Sequence, residues 1–211
     1  MDETDLETLA SSLGNPKWSD MTFLERRRAL GLEVELDESG VFAGRPSPVF
    51  IDFEASSLSA ESWPIEVGIA WLEDKRVVIE SKLIRPRPEW PEKDWNPVSE
   101  QVHGIPRADL DDAGSADDVA AWLLEVIAGR SLVSDAPEFD QRWLDYLLGG
   151  PGPQINDFDR VLWMAFSREE GIISPGRLNK AYKNRLTRPT IHRAGDDAAG
   201  LCYAWRAGIG K

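Results

Sequence analysis

Two acidic residues interrupt an apolar stretch, VFIDFEA, at positions 49–55. Its Val, Ile and Phe residues predict a β-strand. Because side chains two positions apart lie on the same face of a strand, Asp52 and Glu54 point in one direction. Two carboxylates on an apolar strand are costly to desolvate unless a cation lies between them, and hard divalent ions such as Mg²⁺ take oxygen ligands. Acid-x-acid pairs recur elsewhere in the chain, so the strand context, rather than the pair itself, predicts a metal site.

A third candidate carboxylate lies at the start of a helix in the middle of the chain. An apolar strand at residues 131–134 leads through a turn containing Pro137 into a helix predicted at 139–148, with Asp140 in its first turn. An isolated acid at such a position is ordinarily a favourable partner of the helix dipole. The position therefore suits either a catalytic carboxylate or a plain helix start.

One of only two histidines precedes the last predicted helix, in the segment TIHRAGDDAA at 190–199. His192 lies at the mouth of this helix, and Asp197 follows about one turn inside it. A histidine near a helix start is usually structural or exposed, whereas acidic neighbours suit a general base beside a metal-bound water. No acid occurs between Gly171 and Gly195, which favours either a solvated helix face or a phosphate-steering surface built from Arg177, Lys180, Lys183, Arg185, Arg188 and Arg193.

The elements that position these residues follow a strand-first pattern. Strands are predicted at 49–53, 65–72, 76–84, 131–134 and 154–156, with a hairpin-like turn at 73–75, and helices at 116–128, 139–148, 159–170 and 195–207. Strands followed by alternating helices and strands predict an α/β domain built on a mixed sheet. Residues 1–47, with a helical stretch near 21–30 and then Gly and Pro punctuation, form an N-terminal helical and loop appendage to a main domain at 48–211.

The composition excludes several classes of protein. The 211 residues include 24 basic and 37 acidic side chains, and the formal net charge of −13 argues against a protein that coats nucleic acid by bulk electrostatics. A single cysteine excludes an internal disulfide framework and a Cys-rich zinc site. No apolar run approaches the roughly 20 residues that span a bilayer, and the acidic start lacks the pattern of a signal peptide. We therefore expect a soluble, cytoplasmic protein with no membrane partner.

Taken together, the motifs resemble the DEDD superfamily of 3′-to-5′ exonucleases in its histidine-containing branch, DEDDh. That family has Asp-x-Glu on the first strand, Asp at the start of a middle helix and His-x-x-x-x-Asp at the last helix, in this chain order. The sequence supplies all five residues, and further matches are SSL at 56–58, PIEVG at 64–68 and VHGI at 102–105. The middle motif differs, because DAPEFD at 135–140 is one residue longer than the family's Asn-Ala-x-Phe-Asp and begins with an acid.

The resemblance covers about residues 49–205 and implies a ribonuclease-H-like fold, with a mixed central sheet flanked by helices. It implies an exonuclease that hydrolyses phosphodiester bonds at the 3′ end of single-stranded RNA or DNA and releases nucleoside 5′-monophosphates. It also implies His192 as general base and two Mg²⁺ or Mn²⁺ ions, which stabilise the attacking and leaving oxygens, held by Asp52, Glu54, Asp140 and Asp197. The substrate-binding candidates are Ser56, Ser57, Leu58 and His103 from the family pattern, and Arg193 from the basic segment.

Two other hypotheses remain open at this level. One is a catalytically weak or inactive nuclease-fold module that binds nucleic acid or a protein partner, and the other is a plain α/β domain with coincidental motifs. The presence of all four acids and the histidine favours an enzyme, because a degenerate site has no chemical reason to retain five costly groups. The sequence leaves open whether the substrate is RNA or DNA, whether it is a long strand or a short oligonucleotide, and whether the protein forms a homodimer.

Overall fold

The computed structural model describes residues 47–166 and 175–210. The helix expected near 21–30, nearly all of the appendage and the end of the helix expected at 159–170 lie outside the described residues. Within the described chain, six strands form one mixed sheet: β1 Val49–Ala55, β2 Pro64–Glu73, β3 Arg76–Arg85, β4 Gly114–Ser115, β5 Leu132–Ser134 and β6 Ile155–Asp157. Their order is β4-β3-β2-β1-β5-β6, which confirms the α/β class predicted from the sequence.

Strand direction changes at the centre of the sheet. β1 pairs antiparallel with β2 and parallel with β5, and β6 continues the parallel side. β2 and β3 form the predicted hairpin, in which Asp74 and Lys75 both have positive φ angles of 47° and 67°. Two left-handed residues in a two-residue loop match the right-handed twist of the flanking strands. β1 is therefore a central strand with neighbours of opposite direction.

Six α-helices are described: α1 Pro97–His103, α2 Ala116–Ile127, α3 Pro137–Leu148, α4 Phe158–Ala165, α5 Pro175–Leu186 and α6 Ala194–Ile209. The predicted cap of α2 is confirmed, since the Ser115 side chain accepts from the amide of Asp118. α1 was not predicted as a helix, and α5 was predicted only as one of two interpretations of the basic segment, without bounds. α1 begins at a proline in a proline-rich stretch, and Pro97 is tolerated there because the first helical amide needs no partner within the helix. None of the described helices is long and apolar enough to cross a membrane.

The helices cover both faces of the sheet and so create two apolar clusters. Alternate residues of β1, Ile51 and Phe53, pack in the cluster that contains Trp143 of α3. On the other face Phe50 packs against Phe158 of α4 and Trp205 of α6, with ring centroids 6.0 and 6.1 Å apart. In a strand buried on both faces, only Asp52 and Glu54 retain partial exposure. The candidate site opens at these two residues.

Candidate active site

The acidic pair of β1 lies directly beside β2. Asp52 is opposite Gly68 and Glu54 is opposite Glu66 in the antiparallel register. As predicted from the strand periodicity, both carboxylates face the same side of the sheet, where α6 begins. Carboxylate oxygens of Asp52, Glu54 and Asp197 lie within 4.8 Å of one another. The structure therefore brings together residues that are separated by more than 140 positions in the sequence.

Asp197 is held in place by the loop that precedes α6. One carboxylate oxygen accepts from the amide of Ile191 at 3.2 Å and the other from the amide of His192 at 3.1 Å. His192 has a φ angle of 55°, in the left-handed region that non-glycine residues seldom adopt. This turn presents consecutive amides to a single carboxylate. The loop thereby links the position of the histidine to that of the acid.

A buried glutamate fixes the start of α6 against the sheet. Glu66, only 2% exposed, accepts from the amide of Ala194 at 3.1 Å and from two guanidinium nitrogens of Arg193 at 3.0 and 2.8 Å. Close approach is allowed by Gly68, because a Cβ on that residue would lie 2.0 Å from the carbonyl carbon of Ala194. Glu66 and Gly68 belong to the PIEVG segment, which now has a physical role: it seats the helix that carries Asp197.

The fourth predicted carboxylate reaches the site from α3. Asp140 is 1% exposed, and the hydroxyl of Ser134, at the carboxyl end of β5, donates to it. The same hydroxyl oxygen accepts from the amide of Ala136 at 2.9 Å, so the turn from β5 into α3 is closed around Ser134. Asp140 lines the same cavity as the other three acids but lies outside their 4.8 Å group.

Crowding and burial perturb all four acids in the same direction. The pKa of Asp52 is raised well above its ordinary value, first by burial and then by repulsion from Asp140, Glu54 and Asp197. Burial, with the charges of Asp197 and Glu66, raises the pKa of Glu54 to about 8. Burial raises the pKa of Asp140 to about 7 against the opposing hydrogen bond from Ser134.

The pKa of Asp197 is also raised by burial, although the two loop amides and His192 oppose this. Carboxylates whose pKa values are raised by burial and by neighbouring charges are typical of functional sites. Protonation is one way to relieve their repulsion, and a divalent cation bound by their oxygens is the other.

The four acids open into a cavity of about 760 Å³. His192 lines it, and so do three of the predicted substrate residues, Ser57, Leu58 and His103. Leu58 projects at the mouth with 74% of its surface exposed. The hydroxyl of Ser57 donates to Asp94 at 2.7 Å, which ties the loop after β1 to the proline-rich segment.

His103 is nearly buried in the cavity wall. Its Nδ1 accepts from the amide of Ile105 at 3.0 Å, which leaves the proton of the neutral ring on Nε2. Among the described residues Nε2 has no hydrogen-bond partner. Burial lowers the pKa of this histidine, which favours the neutral ring. The Nε2–H of His103 is therefore a buried donor without a partner among the described residues, in a ring that forms part of the cavity wall.

Two of the expected substrate residues differ from expectation. Ser56 is fully buried, and its hydroxyl accepts from the amide of Trp63 at 3.1 Å, so it shapes the loop instead of facing the cavity. Arg193 is bound to Glu66 and lies outside the residues that line the cavity. Ser56 follows Glu54 by two places, but the register of β1 is irregular between Glu54 and Ala55, so simple alternation no longer applies there. Arg193 is the N-cap residue of α6, where its side chain turns to Glu66.

A fifth acid at the cavity occupies the position where the motif departs from the family pattern. Asp135 lines the cavity and pairs with Arg185 of α5 at 2.7 Å, and Arg185 also lies 3.5 Å from Asp159 at the start of α4. The basic residue compensates the extra charge of Asp135. This network, together with Glu66 and Ser134, was not predicted. The sequence did contain one signal for Glu66 and Ser134, because each is a polar side chain inside an apolar strand. Such a side chain requires a hydrogen-bond partner when it is buried.

Comparisons with known proteins place this geometry in context. Residues 49–204 match the RNase_T family, which is described as an exonuclease family. No curated protein sequence matches the chain significantly.

Solved structures share the fold at low identity. A 3′-exonuclease in 3′-end-specific recognition of a histone mRNA stem-loop matches with a TM-score of 0.59 and 15% identity, over 99% of this chain and 80% of that one. The nuclease domain of 3′hExo, a DEDDh family member bound to rAMP, matches with a TM-score of 0.54 and 15% identity. The match covers 78% of this chain and 92% of that one. Product-bound exonuclease I matches with a TM-score of 0.54 and 13% identity. The match covers 76% of this chain but only 42% of exonuclease I. These similarities confirm the ribonuclease-H-like fold.

Proposed function

The chain belongs to the RNase_T exonuclease family, and from this premise we propose that it removes nucleotides from the 3′ end of single-stranded RNA or DNA in a metal-dependent hydrolysis. The products would be nucleoside 5′-monophosphates. The observation that carries the proposal is the convergence of Asp52, Glu54 and Asp197 within 4.8 Å, with Asp140 and His192 on the same cavity. Solved exonucleases of the same fold, one of them bound to rAMP, support it.

The donor set fits divalent cations such as Mg²⁺ or Mn²⁺. Asp52, Glu54, Asp140 and Asp197 supply hard carboxylate oxygens, and their raised pKa values reflect burial first and repulsion between acids second, both of which a bound cation offsets. Four carboxylates balance the formal charge of two divalent ions. When bound, such ions stabilise negative charge on the attacking and leaving oxygens of phosphoryl transfer.

His192 is the proposed general base. It lines the cavity beside the acids, its amide donates to Asp197 at 3.1 Å, and its side chain is exposed to the solvent that supplies water. In this role its imidazole accepts the proton of the water that attacks the terminal phosphorus. The bond between that phosphorus and the 3′ oxygen of the preceding nucleotide then breaks, this oxygen takes up a proton from solvent to become the new 3′ hydroxyl, and the terminal nucleoside 5′-monophosphate is released.

The remaining lining residues suit a terminal nucleotide. Leu58 offers an apolar surface to a base, and the ring of His103 forms part of the cavity wall. Ser57 lines the cavity from the same loop, and its hydroxyl holds that loop in place by donating to Asp94 and accepting from the amide of Ser59 at 3.1 Å. A cavity of about 760 Å³ lies within the range of roughly 300–1,000 Å³ typical of small-ligand sites. It accommodates the end of a strand more readily than the body of a duplex.

The direct test uses 5′-labelled RNA and DNA oligonucleotides with free or blocked 3′ ends, incubated with the protein and Mg²⁺ or Mn²⁺. We expect stepwise shortening that requires a free 3′ hydroxyl and releases nucleoside 5′-monophosphates. The matched control is Asp52→Asn, which keeps the shape of the side chain and removes its charge. Internal cleavage of blocked substrates would exclude an exonuclease mechanism, and binding without degradation would support an inactive nucleic-acid-binding module.

The role of His192 has its own test. Replacement by Ala should lower kcat by about 10²- to 10⁴-fold, the usual contribution of a positioned acid–base group. Metal binding, measured by calorimetry, should stay unchanged because the histidine is outside the carboxylate group. Normal turnover in this variant would remove the proposed base while leaving the exonuclease assignment intact.

A further inference from the structure

Arg188 lies two residues beyond the end of α5, and it lines the acidic cavity. Its guanidinium carbon is 3.9 Å from the centroid of the Tyr203 ring of α6, so the flat cation rests on the aromatic face. Its Nε donates to the side-chain oxygen of Asn184 at 3.3 Å. The arginine is thus held at its base and on one face by two different helices.

The outer nitrogens of Arg188 differ from those of the other arginines near the site. Arg185 is paired with two carboxylates, and Arg193 is paired with Glu66. In the described part of the chain, the Nη1 and Nη2 atoms of Arg188 donate to no residue. A guanidinium that is oriented but lacks an acidic partner has its full charge available to a ligand. The cavity wall carries six carboxylates and two arginines, Arg185 and Arg188, and of these two arginines only Arg188 lacks an acidic partner among the described residues.

The geometry of the free nitrogens indicates the ligand. A planar guanidinium recognises phosphate through paired N–H donors, and stacking on an aromatic ring reduces the side-chain entropy lost on binding. Resting on the exonuclease function proposed above, we propose that Arg188 binds a backbone phosphate of the substrate strand inside the cavity. Tyr203 and Asn184 act as positioning residues for this contact. Arg185 instead holds the end of α5 against Asp135.

The contact has a measurable size. Removal of one charge-assisted hydrogen-bonding partner weakens binding by about tenfold to a hundredfold. Loss of one phosphate contact on a single strand also reduces the slope of log K against log salt concentration by about 0.7. Loss of the aromatic support weakens binding by about twofold to fivefold.

Binding is measured without turnover by fluorescence anisotropy of a labelled single-stranded DNA, using Asp52→Asn protein with Mg²⁺. In this background Arg188→Ala should weaken binding and reduce the salt slope, whereas Arg188→Lys should restore the slope but not the affinity, since lysine lacks the fork. Tyr203→Phe should bind normally, and Tyr203→Leu should bind more weakly. The matched control is Arg206→Ala, because Arg206 contacts the same Tyr203 ring at 4.9 Å but lies outside the cavity lining.

A phosphate scan then identifies the contact. A neutral methylphosphonate is placed at each of the last three linkages of the oligonucleotide, and each is bound by protein with and without Arg188→Ala. At one linkage we expect the loss of affinity caused by the methylphosphonate and the loss caused by Arg188→Ala not to add up, because both changes remove the same interaction. Additive losses at every linkage, or unchanged affinity and salt slope in Arg188→Ala, would overturn the subsite while cleavage by the wild-type protein still upheld the exonuclease. An oligonucleotide neither bound nor cleaved by wild-type protein would overturn both.

Discussion

Replacement of Glu54 by Gln in the metal-free protein measures the electrostatic crowding at the centre of the site. Burial and the charges of Asp197 and Glu66 raise the pKa of Glu54 from 4.5 to about 8. Between these values the folded protein keeps a proton that the unfolded chain has released. The free energy of unfolding therefore falls as the pH rises from 4.5 through 8. Glutamine mimics the protonated form and removes this loss.

The expected magnitude follows from the two pKa values. At about 1.36 kcal/mol per pH unit, the interval from 4.5 to about 8 corresponds to about 5 kcal/mol when Glu54 is fully ionised. Glu54 is half-buried and borders a cavity open to solvent, so screening reduces the effect to about 2–3 kcal/mol. Glu54→Gln should therefore match the wild type in stability near pH 4.5 and exceed it by about 2–3 kcal/mol near pH 8.5.

Urea denaturation in the presence of EDTA at the two pH values provides the measurement. The control is Glu125→Gln, which removes an exposed carboxylate of α2 far from the cavity and should change stability equally little at both pH values. Added Mn²⁺ should stabilise the wild type at pH 8.5 more than the variant, because the variant lacks one ligand. An identical pH dependence in Glu54→Gln and wild type would refute the electrostatic account of the site.

Three further substitutions test the groups that position the acids. Glu66→Ala leaves Arg193 unpaired and the start of α6 unsupported, so it should lower the free energy of unfolding by about 2–4 kcal/mol in thermal denaturation. Glu66→Gln should lower it by less. Gly68→Ala drives a Cβ into the backbone of Ala194 and should cost about 3 kcal/mol or more by urea denaturation; a neutral effect would contradict the close packing. Ser134→Ala removes the hydroxyl donor to Asp140, so it should raise the pKa of that acid further and weaken Mn²⁺ binding at pH 7 about tenfold by calorimetry.

Much of the fold could be predicted because the local patterns are unambiguous. β1, β2, β3 and the turn between the last two were predicted from runs of Val, Ile and Trp and from the polar residues at 73–75, and the structure extends each strand by only one or two residues. α1 was missed because this short helix of seven residues begins at a proline in a proline-rich stretch. α5 was predicted only as a possible solvated helix face, without bounds, because its basic sequence lacks a strong apolar periodicity.

The site was predicted in part for a different reason. Chain order and spacing singled out the five motif residues, and the structure places all of them on one cavity. Spacing alone could not reveal which neighbouring side chains face inward. Ser56 and Arg193 were expected to contact substrate. In the structure the Ser56 hydroxyl accepts from the amide of Trp63, and the Arg193 guanidinium pairs with Glu66. Such assignments depend on partners that are distant in sequence.

By itself, the sequence determined the acidic pair on one strand face, the alternation of strands and helices, and the chemical character of the motif residues, because these follow from local periodicity and side-chain type. Only the tertiary structure decided how close the carboxylates come and which charges remain free. Antiparallel pairing places Glu66 beside Glu54, the missing side chain of Gly68 lets α6 approach, and Tyr203 of α6 supports Arg188 from beyond α5. Distances of this kind arise from packing between remote segments, so no local pattern encodes them.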